Sequence, residues 1–293
     1  MNLQRMSPTF RSIKPISALG QWTLERDVLK RGVPRHVAVI QDGNRRYARA
    51  KRISSLNGHL LGSKTTEKVA DWCLDLGIKY LTVYAFSTEN FDRPEEEKSY
   101  LFGLIKDKLL ELSTSERIHK SRIRVKAVGR TELLPEFLQD AIGVVEDATC
   151  DYDRVYFNIA LAYGGKREIL DVARALAIKV KAGQIRPEDV NEAAISRHLY
   201  PEDDVSLPDV DLMIRTGGEH RTSNFLPWQS NGNECPIYIC KSYWPEFGKV
   251  EFLRAIRCAQ ILKVKKPIQF GFNGTKRPSC NPKLSDEEGQ IGL

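Results

Sequence analysis

The stretch HVAVIQDGNRRYARAKR, residues 36–52, contains the clearest structural signal in the chain. Its apolar run, 37–40, has no polar interruption, which is typical of a strand buried on both faces of a parallel sheet. The run ends in a turn that carries the carboxylate of Asp42, and Gly43 there lets backbone N–H groups approach a ligand closely. Basic side chains follow at once: Arg45, Arg46, Arg49, Lys51 and Arg52. A carboxylate at the end of a buried strand, surrounded by positive charge, indicates a site for a multiply charged anion that binds together with a metal ion.

Strand-like and helix-like segments alternate along the rest of the chain. Strands are predicted over residues 37–40, 78–86, 123–129, 155–163, 210–215 and 235–240. Helical patterns are predicted over residues 63–76, 94–112, 135–148, 166–182, 188–200 and 248–264. Strands separated by helices imply βαβ units. The pattern therefore predicts an α/β fold with a single domain, built on a six-stranded, mainly parallel sheet flanked by helices.

The composition is that of an ordinary globular protein, with 293 residues, 41% of them hydrophobic and 28% charged. The net charge of +7 favours anionic partners, namely phosphorylated metabolites, nucleic acid or an acidic membrane surface, or else serves solubility alone. No apolar run reaches membrane-spanning length and no signal-peptide core is present, so a cytoplasmic location is expected. Residues 1–20 and the polar tail 266–293 are predicted to be poorly ordered, with 21–265 as the folded domain.

The loop after the first predicted strand is the first candidate site, because ligands of open parallel sheets bind beyond the carboxyl ends of strands. A turn that leads into a helix N-terminus offers backbone N–H groups to an anion, and Arg46 can grip phosphate oxygens there. Asp42 would repel a bare phosphate but can meet it through Mg²⁺. The alternative is a common turn followed by surface arginines.

The loop after the fifth predicted strand, TGGEHRTSNFLPWQ, carries a second basic cluster. Arg215 ends an apolar strand, which is a costly place for an unpaired charge. Together with Arg221 and Ser223 it can form a fork for a second diphosphate. The alternative is a plain ion pair between Arg215 and Glu219 across a glycine turn.

A third polar segment, STENFDRP at residues 87–94, follows the second predicted strand. It offers side chains that can organise the space between the two anion sites: Ser87, Glu89, Asn90 and Arg93. The segment can equally begin a helix, with Asp92 as the N-cap. His59 is either a phosphate donor or an ordinary turn residue. The glycine-rich loops GxxxxGK[ST] and GxGxxG, which cradle nucleotides, do not occur in the sequence.

Five blocks of the sequence resemble, in order and with compatible spacing, the signature blocks of the cis-prenyltransferases, the undecaprenyl and dehydrodolichyl diphosphate synthases. They are HVAVIQDGNRRYA, the GH pair at 58–59, YAFSTENFDRP, NIALAYGGKREI, and DLMIRTGGEHRTSNFLPWQ with its later glutamate and WPEF. The resemblance implies an undecaprenyl diphosphate synthase-like fold and a homodimer. It also implies Mg²⁺-dependent condensation of an allylic prenyl diphosphate with isopentenyl diphosphate, which yields a cis-prenyl diphosphate and releases diphosphate.

The resemblance further implies a role for each candidate residue. Asp42 would hold Mg²⁺ at the allylic diphosphate, and Glu234 would complete the second site near the metal. The allylic diphosphate would be surrounded by Gly43, Asn44, Arg46 and His59. Arg45, where the family usually has glycine, is a further candidate ligand that could compensate for the arginine missing at Ser55. The diphosphate of isopentenyl diphosphate would be bound by Arg215, Arg221 and Ser223. A mobile loop would line and close the centre with Ser87, Glu89, Asn90, Phe91 and Arg93.

The same resemblance implies a dry channel for the growing chain, between the sheet and the apolar faces of helices 63–76 and 94–112. A lipid product would bring peripheral contact with membranes. The proton lost in the condensation would pass to a diphosphate oxygen, to Asn90 or to Asp42, and the residues do not choose among these.

Some positions depart from the family's pattern. Glycine, tryptophan, arginine and methionine are usual where this chain has Arg45, Tyr47, Ser55 and Gln41, and a small apolar segment is usual at 231–233. These departures leave an atypical acceptor or a short product as an alternative. A non-catalytic partner subunit of a heteromeric enzyme is another, although such a subunit should lack Asp42 and the arginine fork. Nucleic-acid binding is not expected, because the basic run carries no interleaved aromatic platform.

Overall fold

The computed structural model describes residues 18–200, 207–230 and 235–264. Its sheet has six strands: β1 His36–Ile40, β2 Tyr80–Ser87, β3 Ile123–Val128, β4 Val155–Tyr163, β5 Leu212–Arg215 and β6 Ile237–Ile239. The strand order is β3-β4-β2-β1-β5-β6, and every neighbouring pair is parallel. The predicted α/β fold with one six-stranded sheet is confirmed, and the sheet is parallel throughout.

Helices cover both faces of this sheet. They are α1 Ala18–Lys30, α2 Asn44–Lys51, α3 Ser55–Leu76, α4 Glu95–Thr114, α5 Glu116–Lys120, α6 Glu136–Thr149, α7 Gly165–Lys181, α8 Glu192–Arg197 and α9 Lys249–Val264. Short 3₁₀ turns lie at Thr88–Asp92, Thr131–Leu133, Pro187–Asp189 and Trp244–Glu246. Within the described ranges, no helix combines the length and the apolar character that crossing a membrane requires.

β1 is fully covered on both faces, as its apolar run predicts. Val37 and Val39 belong to the larger core cluster, with residues of α3, α4, α6 and α9. Ala38 and Ile40 belong to a second cluster on the opposite face, with Phe225. The alternation of side chains along the strand therefore joins two cores through the middle of the sheet.

Several predicted boundaries were wrong. α1 was not predicted at all, and it begins at residue 18, inside the end that was predicted to be poorly ordered up to residue 20. The helix predicted over 188–200 shortens to α8, and α4 begins after Pro94 rather than with Asp92 as its N-cap. The expectations for residues 1–17 and for the tail 266–293 lie outside the described residues.

α3 begins eight residues earlier than the predicted start at 63, with Ser54 as its N-cap. Glycines at 58 and 62 obscured this first part, because glycine is a weak helix former. They are needed where α2 crosses α3: a Cβ on Gly58 would lie 2.5 Å from the carbonyl oxygen of Asn44, and one on Gly62 would lie 2.4 Å from Asn44 Oδ1. Close packing of the two helices thus overrides local propensity.

Candidate active site

The turn after β1 is held rigidly from two later parts of the chain. Gly43 adopts φ +114°, and a Cβ there would lie 3.0 Å from Tyr243 Cα. The carbonyl oxygen of Asp42 accepts hydrogen bonds from Thr216 Oγ1 at 2.6 Å and from the backbone N–H of Trp244 at 3.1 Å. The segments that follow β5 and β6 therefore fix the backbone of Asp42, and this restricts where its carboxylate can lie.

The carboxylate of Asp42 is bound by an arginine from each of the two predicted clusters. Arg46 Nη2 donates to Asp42 Oδ1 at 2.9 Å, and Arg215 Nη2 donates to Asp42 Oδ2 at 2.8 Å. Partial burial raises the pKa of Asp42, but the hydrogen bonds from Arg215 and Arg46 lower it by more, so the pKa lies below its ordinary value. The first loop is therefore more than a turn with surface arginines.

Arg215 lies at the carboxyl end of β5, paired in register with Ile40 of β1, and its side chain is only 3% exposed. Its Nη1 donates to Ser223 Oγ at 2.6 Å and to the carbonyl oxygen of Arg221, while its Nε is buried with no hydrogen-bond partner. The partner of this buried guanidinium is Asp42. The alternative ion pair between Arg215 and Glu219 is wrong.

Glu219 instead joins the other two arginines. Its carboxylate lies 3.3 Å from Arg46 Nη1 and 2.9 Å from Arg221 Nη1. The Arg46 guanidinium also lies over the ring of Tyr243, 5.6 Å from its centroid. The two clusters that the sequence predicted as separate sites thus form one network of cationic and acidic groups at the carboxyl ends of β1 and β5.

A second polar group forms around Glu97, in the first turn of α4. Its carboxylate accepts from Arg93 Nη1 at 2.8 Å and lies 3.2 Å from His59 Nε2 and 3.7 Å from Arg45 Nη1. Asn44 Nδ2 is 3.4 Å from the other ring nitrogen of His59. Burial lowers the pKa of His59, and the charge of Arg93 lowers it further against the opposing effect of Glu97. His59 is accordingly a neutral, oriented side chain rather than a free turn residue.

The segment after β2 is tied to the loop that carries Ser223. Asn90 Oδ1 accepts from the backbone N–H of Ser87 at 3.1 Å, so the Asn90 side chain caps the 3₁₀ turn. Glu89 accepts from Asn224 Nδ2 at 3.3 Å. The segment therefore reaches both the Ser223 loop, through Glu89, and the Glu97 group, through Arg93.

Phe91 does not join the polar groups. Its ring packs edge-on against Phe86 at 5.1 Å between centroids and lies 6.4 Å from Phe102. This side chain anchors the segment in the core of the protein.

An apolar cavity of about 330 Å³ opens beside the Glu97 group. It lies between the sheet, α3 and α4, where the resemblance placed a channel, and its polar end is lined by Gln41, Asn44 and His59. Gln41 Nε2 donates to Thr66 Oγ1 at 2.6 Å across this end. A charged polar site is thus continuous with a mainly apolar cavity.

The donor set fits a magnesium ion that binds through one carboxylate and a ligand's phosphates. In the described part of the chain, no three carboxylate, histidine or cysteine side chains cluster closely enough to hold a metal ion alone. Mg²⁺ commonly binds through one or two carboxylates plus substrate phosphates, and Asp42 is a partly exposed carboxylate between the buried Arg215 and the partly exposed Arg46. Asn44 Oδ1 is buried at the mouth of the cavity with no hydrogen-bond partner. The predicted metal ligand Glu234 lies outside the described residues.

Sequence reasoning missed the residues that organise the predicted ones. Glu97 was not among the candidate residues, although Arg93 precedes it by four residues, the spacing of a helical ion pair. Glu219 was assigned to the wrong arginine. Asn224 and Trp244 stand within the quoted signature blocks but received no role, because their partners lie far away in the sequence.

Comparison with known proteins decides the family. Residues 40–263 match the family model described as "Putative undecaprenyl diphosphate synthase". The chain belongs to the undecaprenyl diphosphate synthase family. It is therefore a prenyltransferase, which condenses a prenyl diphosphate with isopentenyl diphosphate, as the sequence predicts.

Individual members of the family are similar over most of their length. The tritrans,polycis-undecaprenyl-diphosphate synthase (geranylgeranyl-diphosphate specific) of Methanosarcina mazei is 46% identical over 253 residues, which cover 86% of this chain and 85% of that protein. The protein of the same name from Archaeoglobus fulgidus is 50% identical over 240 residues, 82% of this chain and 94% of that one.

Solved structures of family members share the fold. Lavandulyl diphosphate synthase from Lavandula x intermedia, in complex with dimethylallyl diphosphate, matches with a TM-score of 0.71 and 35% identity, over 78% of this chain and 95% of that one. A probable undecaprenyl diphosphate synthase from Campylobacter jejuni matches with a TM-score of 0.62 and 31% identity over the same shares. The likeness extends from the sequence blocks to the whole parallel sheet.

Proposed function

We propose that this prenyltransferase elongates geranylgeranyl diphosphate with isopentenyl diphosphate, in cis condensations, to a product of the undecaprenyl class. The names of the archaeal relatives support this primer and this product. The observation that carries the proposal is the double arginine pairing of Asp42 beside the apolar cavity. Two diphosphate groups need cationic hydrogen-bond donors. The growing hydrocarbon chain needs an apolar surface next to those donors.

The proposed roles follow from the network. Arg215, Arg221 and Ser223 bind the diphosphate of isopentenyl diphosphate, while Arg46 and the backbone N–H groups that follow Gly43 bind the allylic diphosphate. Preorganised donors of this kind stabilise the charge that accumulates on the leaving diphosphate, and loss of one donor commonly reduces the rate by about 10²–10³.

Asp42 is the proposed metal ligand, with Glu234 as a second candidate. When bound, Mg²⁺ would supply positive charge to the departing diphosphate. A metal ion held by Asp42 would compete with the arginines for this carboxylate, and Arg46 and Arg215 would then be available to phosphate oxygens.

The second polar group has the proposed task of orienting the allylic end. Neutral His59 and Asn44 offer hydrogen bonds without added charge, and Arg45 and Arg93 supply charge that Glu97 holds in place. Arg45 occupies a position where the family usually has glycine, and it offers a replacement for the arginine that is usual at Ser55. Ser87, Glu89 and Asn90 are proposed to position the segment that closes over the substrates.

The cavity is the proposed binding site of the hydrocarbon chain. Burial of each five-carbon unit contributes about 4 kcal/mol, at roughly 0.8 kcal/mol per CH₂. Its aliphatic lining also excludes water from the allylic carbon, so that the isopentenyl π bond attacks in preference to a water molecule.

A homodimer in the cytoplasm, with peripheral membrane contact through its lipid product, completes the proposal. α7 exposes three large apolar side chains, Ile169, Leu170 and Ile178, which a second copy can cover. Light scattering of the purified protein measures its oligomeric state directly.

Turnover of the purified protein tests the function. With Mg²⁺, geranylgeranyl diphosphate and labelled isopentenyl diphosphate, we expect release of diphosphate and longer prenyl products. Chelation of Mg²⁺ should stop the reaction and its re-addition should restore it. Asp42→Asn, which keeps the shape of the side chain but removes its charge, should lower turnover by at least about 10².

The matched control is Asp153→Asn, since Asp153 pairs with Arg122 at 3.0 Å on the surface, away from the site. Thermal unfolding of both variants shows whether a loss of activity is due to a loss of the folded structure. Near-normal turnover of Asp42→Asn would refute the assigned role, and absence of any prenyl product from the wild-type protein would refute the function.

A further inference from the structure

Asn224 is the residue at which three separate segments of the chain meet. Its backbone carbonyl oxygen accepts a hydrogen bond from the N–H of Gly165 at 2.8 Å, and its side-chain Oδ1 accepts one from the N–H of Lys166, also at 2.8 Å. Its Nδ2 donates to Glu89 Oε1 at 3.3 Å. Asn224 therefore joins the loop after β5 to the first turn of α7 and to the segment after β2.

The first turn of α7 takes its cap from Asn224 rather than from its own neighbour. Gly164 precedes the helix and has no side chain to accept from the backbone N–H groups of that turn. A Cβ on Gly164 would lie 2.6 Å from Thr88 Oγ1, and one on Gly165 would lie 3.0 Å from the carbonyl oxygen of Asn224. The two glycines are thus required for the close approach of the three segments.

The loop that carries Asn224 has an unusual backbone. Ser223 and Asn224 both have positive φ, +48° and +62°, which residues with a Cβ rarely adopt. Such a conformation persists only where the surroundings impose it. The buried ring of Phe225 stacks on Tyr84 at 4.4 Å between centroids, and the hydrogen bonds of Asn224 hold the loop beside it. In this conformation Ser223 Oγ lies 2.6 Å from Arg215 Nη1.

The side-chain amide of Asn224 has one orientation that satisfies both of its partners. A backbone N–H bonds to the amide oxygen, and a carboxylate bonds to the amide nitrogen. Partial burial raises the pKa of Glu89, but hydrogen bonds from its own backbone, Ser87, Asn224 and Thr88 lower it by more, so the pKa lies below its ordinary value. Glu89 is therefore an ionised acceptor, and the bond from Asn224 is charge-assisted.

We propose that Asn224 is a positioning residue for isopentenyl diphosphate. Its bond to Glu89 holds the segment after β2 against the loop after β5, and this keeps the hydroxyl of Ser223 beside Arg215, where the diphosphate binds. The inference rests on the proposed function, which assigns that diphosphate to Arg215, Arg221 and Ser223. Asn224 itself has no assigned contact with the substrate and acts through its two neighbours.

Asn224→Asp separates the link to Glu89 from the cap of α7. Aspartate keeps the side-chain oxygen that accepts from Lys166, and like asparagine it tolerates a left-handed backbone. It replaces the donor to Glu89 by a second carboxylate. We expect the KM for isopentenyl diphosphate to rise by at least about tenfold, with a smaller change in kcat and an unfolding temperature close to that of the wild type. A residue that served only as a cap would leave this KM unchanged.

Glu89→Gln shows whether the two side chains act on each other. In the wild-type background it removes the charge of the acceptor and should raise the KM for isopentenyl diphosphate. In the Asn224→Asp background it supplies an amide donor to the new carboxylate and restores the bond with reversed polarity, so it should lower the KM by at least about fivefold. Simple repulsion of the diphosphate by negative charge would instead lower the KM in both backgrounds. Changes of the same sign in the two backgrounds, or no rise in Asn224→Asp, would overturn the inference.

Asn191→Asp is the matched control, because Asn191 Oδ1 caps α8 at 3.0 Å from the N–H of Ala194 and the substitution adds the same charge at an exposed position. It should leave the KM unchanged. If Asn224→Asp does not fold, Asn224→Gly takes its place, since glycine adopts the left-handed backbone freely. The same rise in KM is expected there, and Glu89→Gln should add nothing to it, because position 224 then has no side chain to bond; a further rise would contradict the proposal.

The wild-type protein separates this inference from the proposed function. If it makes no prenyl product, the proposed function fails and the inference fails with it. If it turns over normally while Glu89→Gln acts in the same direction in both backgrounds, the proposed function stands and the inference alone is overturned.

Discussion

At the scale of single residues, the site depends on contacts between side chains far apart in the sequence. Arg215 and Asp42 are separated by 173 positions, yet their side chains meet at 2.8 Å. A buried guanidinium needs such a partner, because removing one member of a buried pair costs several kcal/mol. The same need applies to Arg93, which is 20% exposed and pairs with Glu97 at 2.8 Å.

Glu97→Gln tests whether the Glu97 carboxylate helps to position the allylic diphosphate substrate. The variant loses a charge-assisted hydrogen bond to Arg93, which is 2.8 Å away, and such bonds contribute about 1.5–3 kcal/mol. We expect kcat/KM for the allylic diphosphate to fall by about tenfold. Steady-state kinetics at saturating isopentenyl diphosphate measure this. Glu96→Gln, on the exposed side of the same helical turn, should be near wild type, and an equal loss in both variants would contradict the assigned role.

At the scale of elements, the ends of parallel strands explain why sequence reasoning located the site. Residues that follow β1, β2 and β5 were expected to converge, because the carboxyl ends of parallel strands share one edge of the sheet. The structure brings Asp42, Arg46, Arg215 and Ser223 together at that edge. The strands could be located from their apolar runs alone, because such runs are local features of the sequence.

What the sequence could not supply was packing between elements. The start of α3 was hidden by Gly58 and Gly62, whose role appears only when Asn44 of α2 is placed against them. Two partners of Glu97, Arg45 and His59, come from α2 and α3, and no local pattern relates those helices to the start of α4. Helix α1 has no strong apolar stripe, and its place is set by contacts with α9, such as Gln260 Nε2 to the carbonyl oxygen of Val28 at 2.9 Å.

Two adjacent glycines test the close contact between the loop after β5 and Arg46 of α2. Both have positive φ, +80° at Gly217 and +75° at Gly218. A Cβ on Gly217 would lie 2.4 Å from Arg46 Nη2, whereas one on Gly218 would meet only Lys241 Cα at 4.0 Å. Both alanine variants should lose about 1–2 kcal/mol of unfolding free energy from left-handed strain.

Only Gly217→Ala should also displace the Arg46 guanidinium, so we expect its kcat/KM to be at least about tenfold lower than that of Gly218→Ala. Kinetics at a temperature where both variants remain folded make the comparison. Equal activities would show that the position of Arg46 does not depend on this close approach.

At the scale of the whole molecule, stability should depend on pH through a buried histidine far from the proposed chemistry. His36 begins β1, is fully buried, and bonds Thr82 Oγ1 and the carbonyl oxygen of Pro208, each at 2.8 Å. Burial lowers the pKa of His36 from 6.5 to about 4. Below pH 6.5 the unfolded chain therefore binds a proton that the folded protein does not, and stability falls as the pH falls toward 4.

The full effect of this one residue is about 3 kcal/mol, at 1.36 kcal/mol per pKa unit. Urea unfolding at intervals from pH 7 to pH 4.5 measures the slope, and NMR of the imidazole carbons gives the folded-state pKa directly. Titration of His36 near 6.5 in the folded protein would contradict the prediction.

The pairing of Asp42 with Arg46 and Arg215 has a consequence for repeated turnover. The Asp42 carboxylate accepts hydrogen bonds from both guanidinium groups, so Arg215, which is only 3% exposed, is not left as an unpaired buried cation. Under the proposed function each condensation releases diphosphate, which Arg46 and Arg215 would attract. The Asp42 carboxylate, tethered beside them, would compete for the same hydrogen bonds and so favour the departure of diphosphate before the next addition.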